Sequence, residues 1–316
     1  MNAGEGALGL YPDAAVTSDA GADVRGLSRV FPDLQEDLLL HLFHKGARAQ
    51  WTSRDLDFGP PLRLSDRQRE ALARLLTPIY FGEQTAMAGA SGILPQLMRA
   101  RETTAQLYLA SFIMDEARHF EALTRLYATL GHDPLGLRDI PELLRYHHRL
   151  RQGDRADWVW GILFSDIIAK HFYRSFGLVQ ADPLLAGLSR RILQDESRHL
   201  AFAEHYLRRT VPRMDAARRQ ALVNMRDDLF SLLESMTERV RADSATLDVD
   251  ADDYLAAVWA DVDAFGKRIG LTGPTSPPAD PPGRPPPTRK TMVSMSLPDC
   301  FGCLLILICG RRLLPA

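Results

Sequence analysis

Two short acidic stretches carry residue types and spacings that can do chemistry: Asp115-Glu116-Ala117-Arg118-His119 and Asp195-Glu196-Ser197-Arg198-His199. Each reads Asp-Glu-x-x-His inside a segment of helical periodicity. Residues three apart on a helix share a face, one turn above the other. Glu116 and His119 therefore converge on one point, and so do Glu196 and His199. A carboxylate and an imidazole from each of two helices form the core of a dinuclear iron or manganese site in a four-helix bundle. Such a site takes about six protein ligands, and hard metal ions that handle oxygen accept this mixture of donors.

The other two helices must each supply one carboxylate. Upstream, Glu83 is an acid flanked by small and apolar neighbours in Thr77–Ala86. Between the motifs, Asp166 is the one acid in the middle of the apolar run Phe164-Ser165-Asp166-Ile167-Ile168. A charge there is costly to bury without a metal or a partner. Its competing role is an ion pair with Lys170, one turn on, and Asp157 is the fallback ligand. The expected metal ligands are thus Glu83, Glu116, His119, Asp166, Glu196 and His199, with no catalytic residue beyond them. A metal-bound His donates its other ring N–H to a carboxylate. Asp195 is therefore expected to orient His119, and Asp115 to orient His199.

The elements that position these groups all read as helices. The periodicity predicts helices near Asp33–Arg48, Arg67–Ala90 with Ser65 as N-cap, and Glu102–Leu130 ending at Gly131. Further helices are expected at 139–152, Trp158–Phe176, Leu184–Arg209, Met214–Ala242 and Asp250–Ile269. Gly89, Gly92 and Pro95 suggest a break after the second. No segment alternates with period two between hairpin turns, so the fold class is all-α. The chain divides into a loose arm at 1–28, one helical metal-binding domain at 29–270, and a tail at 271–316. In that tail a Pro-dense linker (Thr272–Arg289) precedes an apolar run, Leu297–Cys309.

Composition bounds the rest. The 316 residues carry 38 Lys and Arg against 40 Asp and Glu, a formal charge of -2, so nothing marks an electrostatic nucleic-acid binder. The apolar run in the tail has about 13 residues, too short for a membrane span of roughly 20. All three Cys lie in the last seventeen residues. The helical part then has no disulfide and no thiolate ligand, and a reducing cytoplasm is the simplest setting. No secretory signal is visible at the N-terminus.

At these residues the chain resembles the ferritin-like superfamily, and within it the ribonucleotide reductase small subunit and the ligand-binding oxidases. The likeness covers roughly Gln50–Arg209. Trp51-Thr-Ser-Arg-Asp-Leu-Asp-Phe58 is similar to the tryptophan segment before the first metal helix, and Gly82-Glu83-Gln84-Thr85-Ala86 to the oxidases' Gly-Glu-Glu-Ala-Val. Tyr108-Leu-Ala-Ser-Phe-Ile-Met-Asp-Glu-Ala-Arg-His119 and Gln194-Asp-Glu-Ser-Arg-His199 match the two metal helices, and Gly161-Ile-Leu-Phe-Ser165 resembles the third. The resemblance implies a ferritin-like four-helix core with added helices. It also implies an Fe/Fe or Mn/Fe pair, O2 as co-substrate, a homodimer, an electron-donor protein, and a hydrogen-bond network from Trp51 through Asp195 to His119.

Three departures qualify it. Where the family has Val-Glu-Gly this chain has Val159-Trp160-Gly161, so Asp166 must substitute or the site has one ligand fewer. Leu123 stands where the reductase stores a radical on tyrosine. The oxidases cross-link a tyrosine to a valine; here Ala86 replaces the valine, and Arg155–Asp166 holds no tyrosine. Neither a stored tyrosyl radical nor that cross-link is expected. The leading expectation is an O2-dependent oxidase or oxygenase acting on a small, apolar organic substrate, with Leu123, Ile162, Phe164 and Ile168 shaping its pocket. A reductase small subunit is the alternative, although no tyrosine for its relay follows Tyr254. A non-enzymatic metal-binding bundle is the third reading. An arylamine N-oxygenase would carry His where Ile192 stands.

Overall fold

The computed structural model describes residues 37–151, 153–175 and 181–271. Nine α-helices and two short 3-10 turns make up its regular structure, with no strand among the described residues. The helices are α1 (Leu38–Arg48), α2 (Asp66–Arg99), α3 (Thr103–Leu130), α4 (Pro141–Arg151), α5 (Arg155–Ser175), α6 (Pro183–Thr210), α7 (Ala216–Arg239), α8 (Arg241–Thr246) and α9 (Ala251–Arg268). The N-terminal arm and the Pro-rich tail lie outside the described residues.

Four long helices form the core. α2 packs on α3, α5 on α6, and the two pairs close on each other through α2 with α5 and α3 with α6. α1 lies across α3 and α6, α8 against α2, and α7 and α9 cover α5. Local chemistry fixes the ends. Ser65 and Gln68 make a reciprocal capping box at the start of α2. Asp182 accepts from Leu184 and Leu185 N–H to start α6, with Pro183 at the first helical position. Gly131, at φ 72°, closes α3 in the left-handed conformation.

Two boundaries differ from expectation. α2 does not break at Gly89, Gly92 and Pro95 but runs on to Arg99 with Pro78 and Pro95 inside it. Burial explains this: Ala86, Ala90, Ile93 and Leu97 continue one apolar stripe into the core, and that packing outweighs the hydrogen bond Pro95 removes. Gly89 serves the packing, since a Cβ there would lie 2.0 Å from the Trp158 indole nitrogen. The expected Met214–Ala242 helix is two helices, α7 and α8, divided at Val240.

Candidate metal centre

α3 and α6 turn the two motifs inward toward each other. Glu83, Glu116, His119, Glu196 and His199 are each 0% exposed, and Asp115 and Asp195 lie directly behind them. Each histidine faces at least one acid from another helix, and His199 also faces Glu196 on its own. His119 Nδ1 is 2.8 Å from Glu196 Oε1 and 3.5 Å from Glu83 Oε2. His199 Nδ1 is 2.7 Å from Glu196 Oε2 and 3.2 Å from Glu116 Oε1. Two groups of potential ligand atoms result, Glu83–Glu116–His119 and Glu116–Glu196–His199, each within 4.8 Å. Glu116 belongs to both.

The cluster is unsatisfied as it stands. Both oxygens of Glu83, both of Glu116, Oε1 of Glu196 and Nδ1 of His119 make no aligned hydrogen bond among the described residues. Three buried carboxylates at this spacing repel. Burial pushes Glu116 well above the usual carboxylate range, and the charges of Glu83 and Glu196 add to the push. Burial also raises Glu83, against the pull of His119. Both imidazoles are raised, because the neighbouring carboxylates, Glu196 foremost, outweigh a burial that would lower them. Orphaned acceptors of this kind fit two divalent or trivalent cations, which Glu83, Glu116, His119, Glu196 and His199 would hold.

A second layer fixes the rings. His119 Nε2 lies 3.2 Å from Asp195 Oδ2, and His199 Nε2 lies 3.3 Å from Asp115 Oδ2. Trp51 Nε1 donates to the same Asp195 oxygen at 2.6 Å, and its ring stacks near His119. Two arginines tie this layer together. Arg198, 1% exposed, donates through Nη2 to Asp115 at 2.7 Å and to Asp195 at 2.9 Å. Arg118 pairs with both aspartates and reaches the Trp51 carbonyl. Burial alone would raise Asp115 and Asp195. Their histidine hydrogen bonds and the guanidinium charges outweigh it and hold both below the usual range. Sequence reasoning missed these arginines, yet the signal was there: both motifs read Asp-Glu-x-Arg-His.

α5 behaves differently from expectation. Asp166 is fully buried, but it joins neither group of potential ligand atoms. It lies six residues beyond Trp160, about 240° round a regular helix, so the two cannot present the same face. Trp160, at the position where the resemblance has Glu, donates its indole N–H to the Leu222 carbonyl at 3.0 Å and packs toward α7. Asp157 pairs with Arg218 at 2.6 Å. Lys170 is engaged by Asp261 on α9. Among the described residues, five side chains therefore gather where six were expected.

An apolar cavity opens beside α2 and α5. Leu75, Ile79, Ile168, Phe172, Leu233 and Met236 are among the residues that line it, and its interior volume is about 60 Å³. Ile79 sits one turn before Glu83. Of the expected pocket wall, Ile168 lines this cavity, whereas Leu123, Ile162 and Phe164 are buried in the core away from it.

The fold and this cluster together define an all-helical, ferritin-like bundle with a carboxylate–histidine centre. Among solved structures the chain is similar to an R2-like ligand-binding oxidase with an aerobically reconstituted Mn/Fe cofactor. The TM-score is 0.64 at 18% identity, over 77% of this chain and 98% of that one. Two single-residue variants of such an oxidase align likewise. One, aerobically reconstituted, gives TM-score 0.64 and 18% identity over 77% and 99% of the two chains. The other, anaerobically reconstituted, gives 0.63 and 19% over 76% and 96%. At this identity the likeness establishes the fold. No protein-family model matches the chain, and no curated protein matches it by sequence.

Proposed function

We propose that this protein is a dinuclear metal oxidase or oxygenase, using an Fe/Fe or Mn/Fe pair and O2 to oxidise a small organic substrate. The observation that carries the reading is the set of orphaned ligand atoms on Glu83, Glu116, His119 and Glu196 beside His199. When bound, the metals would supply redox equivalents for O2 reduction. Everything else is the work of the chain. Glu83 and His119 would hold one ion, Glu196 and His199 the other, with Glu116 between them. Asp195 and Asp115 keep each imidazole's Nε2 protonated, so that Nδ1 faces inward. The apolar core shields the site from water. The cavity beside α2 and α5, which has no charged side chain in its lining, supports an uncharged, apolar substrate.

A homodimer with a separate electron donor in a reducing cytoplasm is the setting we infer. No helix among the described residues is long and apolar enough to cross a membrane. The reductase-like alternative draws support from one feature, the hydrogen-bonded chain Trp51–Asp195–His119. Such a chain can pass an oxidising equivalent outward. Recovery of a ribonucleotide reductase large subunit in a pull-down would favour it.

The test is metal analysis and oxygen uptake. The purified chain is loaded with Fe(II), or with Mn(II) and Fe(II), assayed for bound metal, and followed with an oxygen electrode across a panel of apolar substrates. Two metal ions per chain and metal-dependent O2 consumption are expected. A chain that binds no metal, or consumes no O2 when reduced and loaded, defeats the proposal.

A further inference from the structure

A second cleft lies between the segment that follows Trp51 and the first turns of α6, and its lining includes none of the five candidate ligands. Its interior volume is about 530 Å³, against about 60 Å³ for the apolar cavity. That is the size of a small-molecule site. Three guanidiniums line it, those of Arg63, Arg190 and Arg191, together with Asp55, Asp57 and Asp182. The acids are turned onto backbone N–H groups. Asp55 accepts from Thr52 at 2.7 Å and Asp57 from Gly59 at 3.0 Å. Asp182 accepts from Leu184 and Leu185, which caps α6, and from Arg63 N–H at 2.8 Å. The first N–H groups of α6 are thus spent, and side chains make the site. Arg63 and Arg190 are exposed, and their guanidiniums have no hydrogen bond or ion pair among the described residues.

The walls are tied to each other across the chain. Arg191 donates to the Asp55 carbonyl at 3.1 Å, and the Arg63 N–H meets Asp182. Pro60, Pro61 and Pro183 stiffen both sides and give the cleft apolar surface. A preformed cleft saves a ligand the cost of ordering it. Guanidiniums with unspent donors are matched by carboxylate or phosphate oxygens, which they grip in pairs. We propose that this cleft binds a small organic anion: Arg63 and Arg190 hold its carboxylate or phosphate, and the proline-rich walls cover its apolar body. The proposal is independent of the metal reading.

The test is isothermal titration calorimetry on the full chain at constant ionic strength, with phenyl phosphate, benzoate and uncharged benzyl alcohol as probes. One anion per chain is expected to bind saturably, and whichever binds tighter identifies the head group as phosphate or carboxylate. The Arg63→Ala/Arg190→Ala double variant is expected to bind at least about tenfold more weakly, with an unchanged thermal midpoint. Arg190→Glu, a single change at an exposed helix position, gives the same reading should the double variant fail to fold. Arg213→Ala, at the far end of α6 and about 40 Å along its axis, should bind as wild type does. Saturable binding of neither anion overturns the inference. So does equal affinity in wild type and the arginine variants, or benzyl alcohol binding as tightly as the anions. Equal weakening by Arg213→Ala overturns it too, since net charge alone would then be responsible.

Discussion

Asp195→Asn isolates the layer behind the ligands. The side chain is fully buried and its two oxygens meet four donors: Trp51 at 2.6 Å, Arg198 at 2.9 Å, and His119 and Arg118 at 3.2 Å each. An amide of the same shape removes the negative charge and turns one acceptor into a donor. Arg198, itself buried, is left with Asp115 as its anionic partner. Breaking a buried charge pair costs about 3–5 kcal/mol, and Asp115 retains part of that, so a loss of about 2–3 kcal/mol in metal-free stability is expected. Loss of the carboxylate behind a ligating imidazole lowers metal affinity about 10–100-fold, or about 1.4–2.7 kcal/mol. The effect should fall on one ion more than the other, because His199 leans on Asp115 instead. Chelator competition with iron or manganese, with thermal unfolding of the metal-free chain alongside, measures both quantities. A variant that binds both ions with wild-type affinity would refute the claim that Asp195 orients His119 as a ligand.

Three other outcomes follow from the same coordinates. Glu116→Ala should abolish binding of both ions, since Glu116 belongs to both groups, whereas Glu83→Ala should spare one; metal content per folded chain decides between them. Metal loading should release protons. Glu83, Glu116, His119 and His199 are all raised, so in the metal-free chain their contribution to stability is complete at acid pH and is lost as pH rises through their folded values. Asp115 and Asp195 are lowered, and their contribution is lost as pH falls through theirs. Calorimetry at about pH 6.5 in two buffers of different ionisation enthalpy reads the released protons, and heats independent of buffer contradict the assignment. Gly89→Ala should cost about 1–3 kcal/mol by overpacking against Trp158, read as a lower denaturant midpoint; unchanged stability would mean that α2 and α5 separate freely.

The amino-acid sequence determined the helical class and most helix ends through local chemistry. The Ser65 cap, the left-handed Gly131 and the apolar stripes act within a few residues of where they stand. It also placed Glu116 with His119, and Glu196 with His199, because a three-residue spacing fixes a shared face wherever the helix goes. Glu83 was reachable only by asking which acid the neighbouring helix must offer.

What the sequence left open depends on groups far apart in the chain. Whether Asp166 meets the other acids turns on how α5 is rotated about its axis, and the packing of Trp160 on the Leu222 carbonyl helps set that rotation. Whether Gly89 and Pro95 end a helix turns on what lies against it, here Trp158. The Arg198 bridge joins aspartates 80 positions apart. Spacing along one helix is local geometry. The meeting of four helices is decided by burial of their combined surface, and the charges left facing one another at its centre follow from that packing.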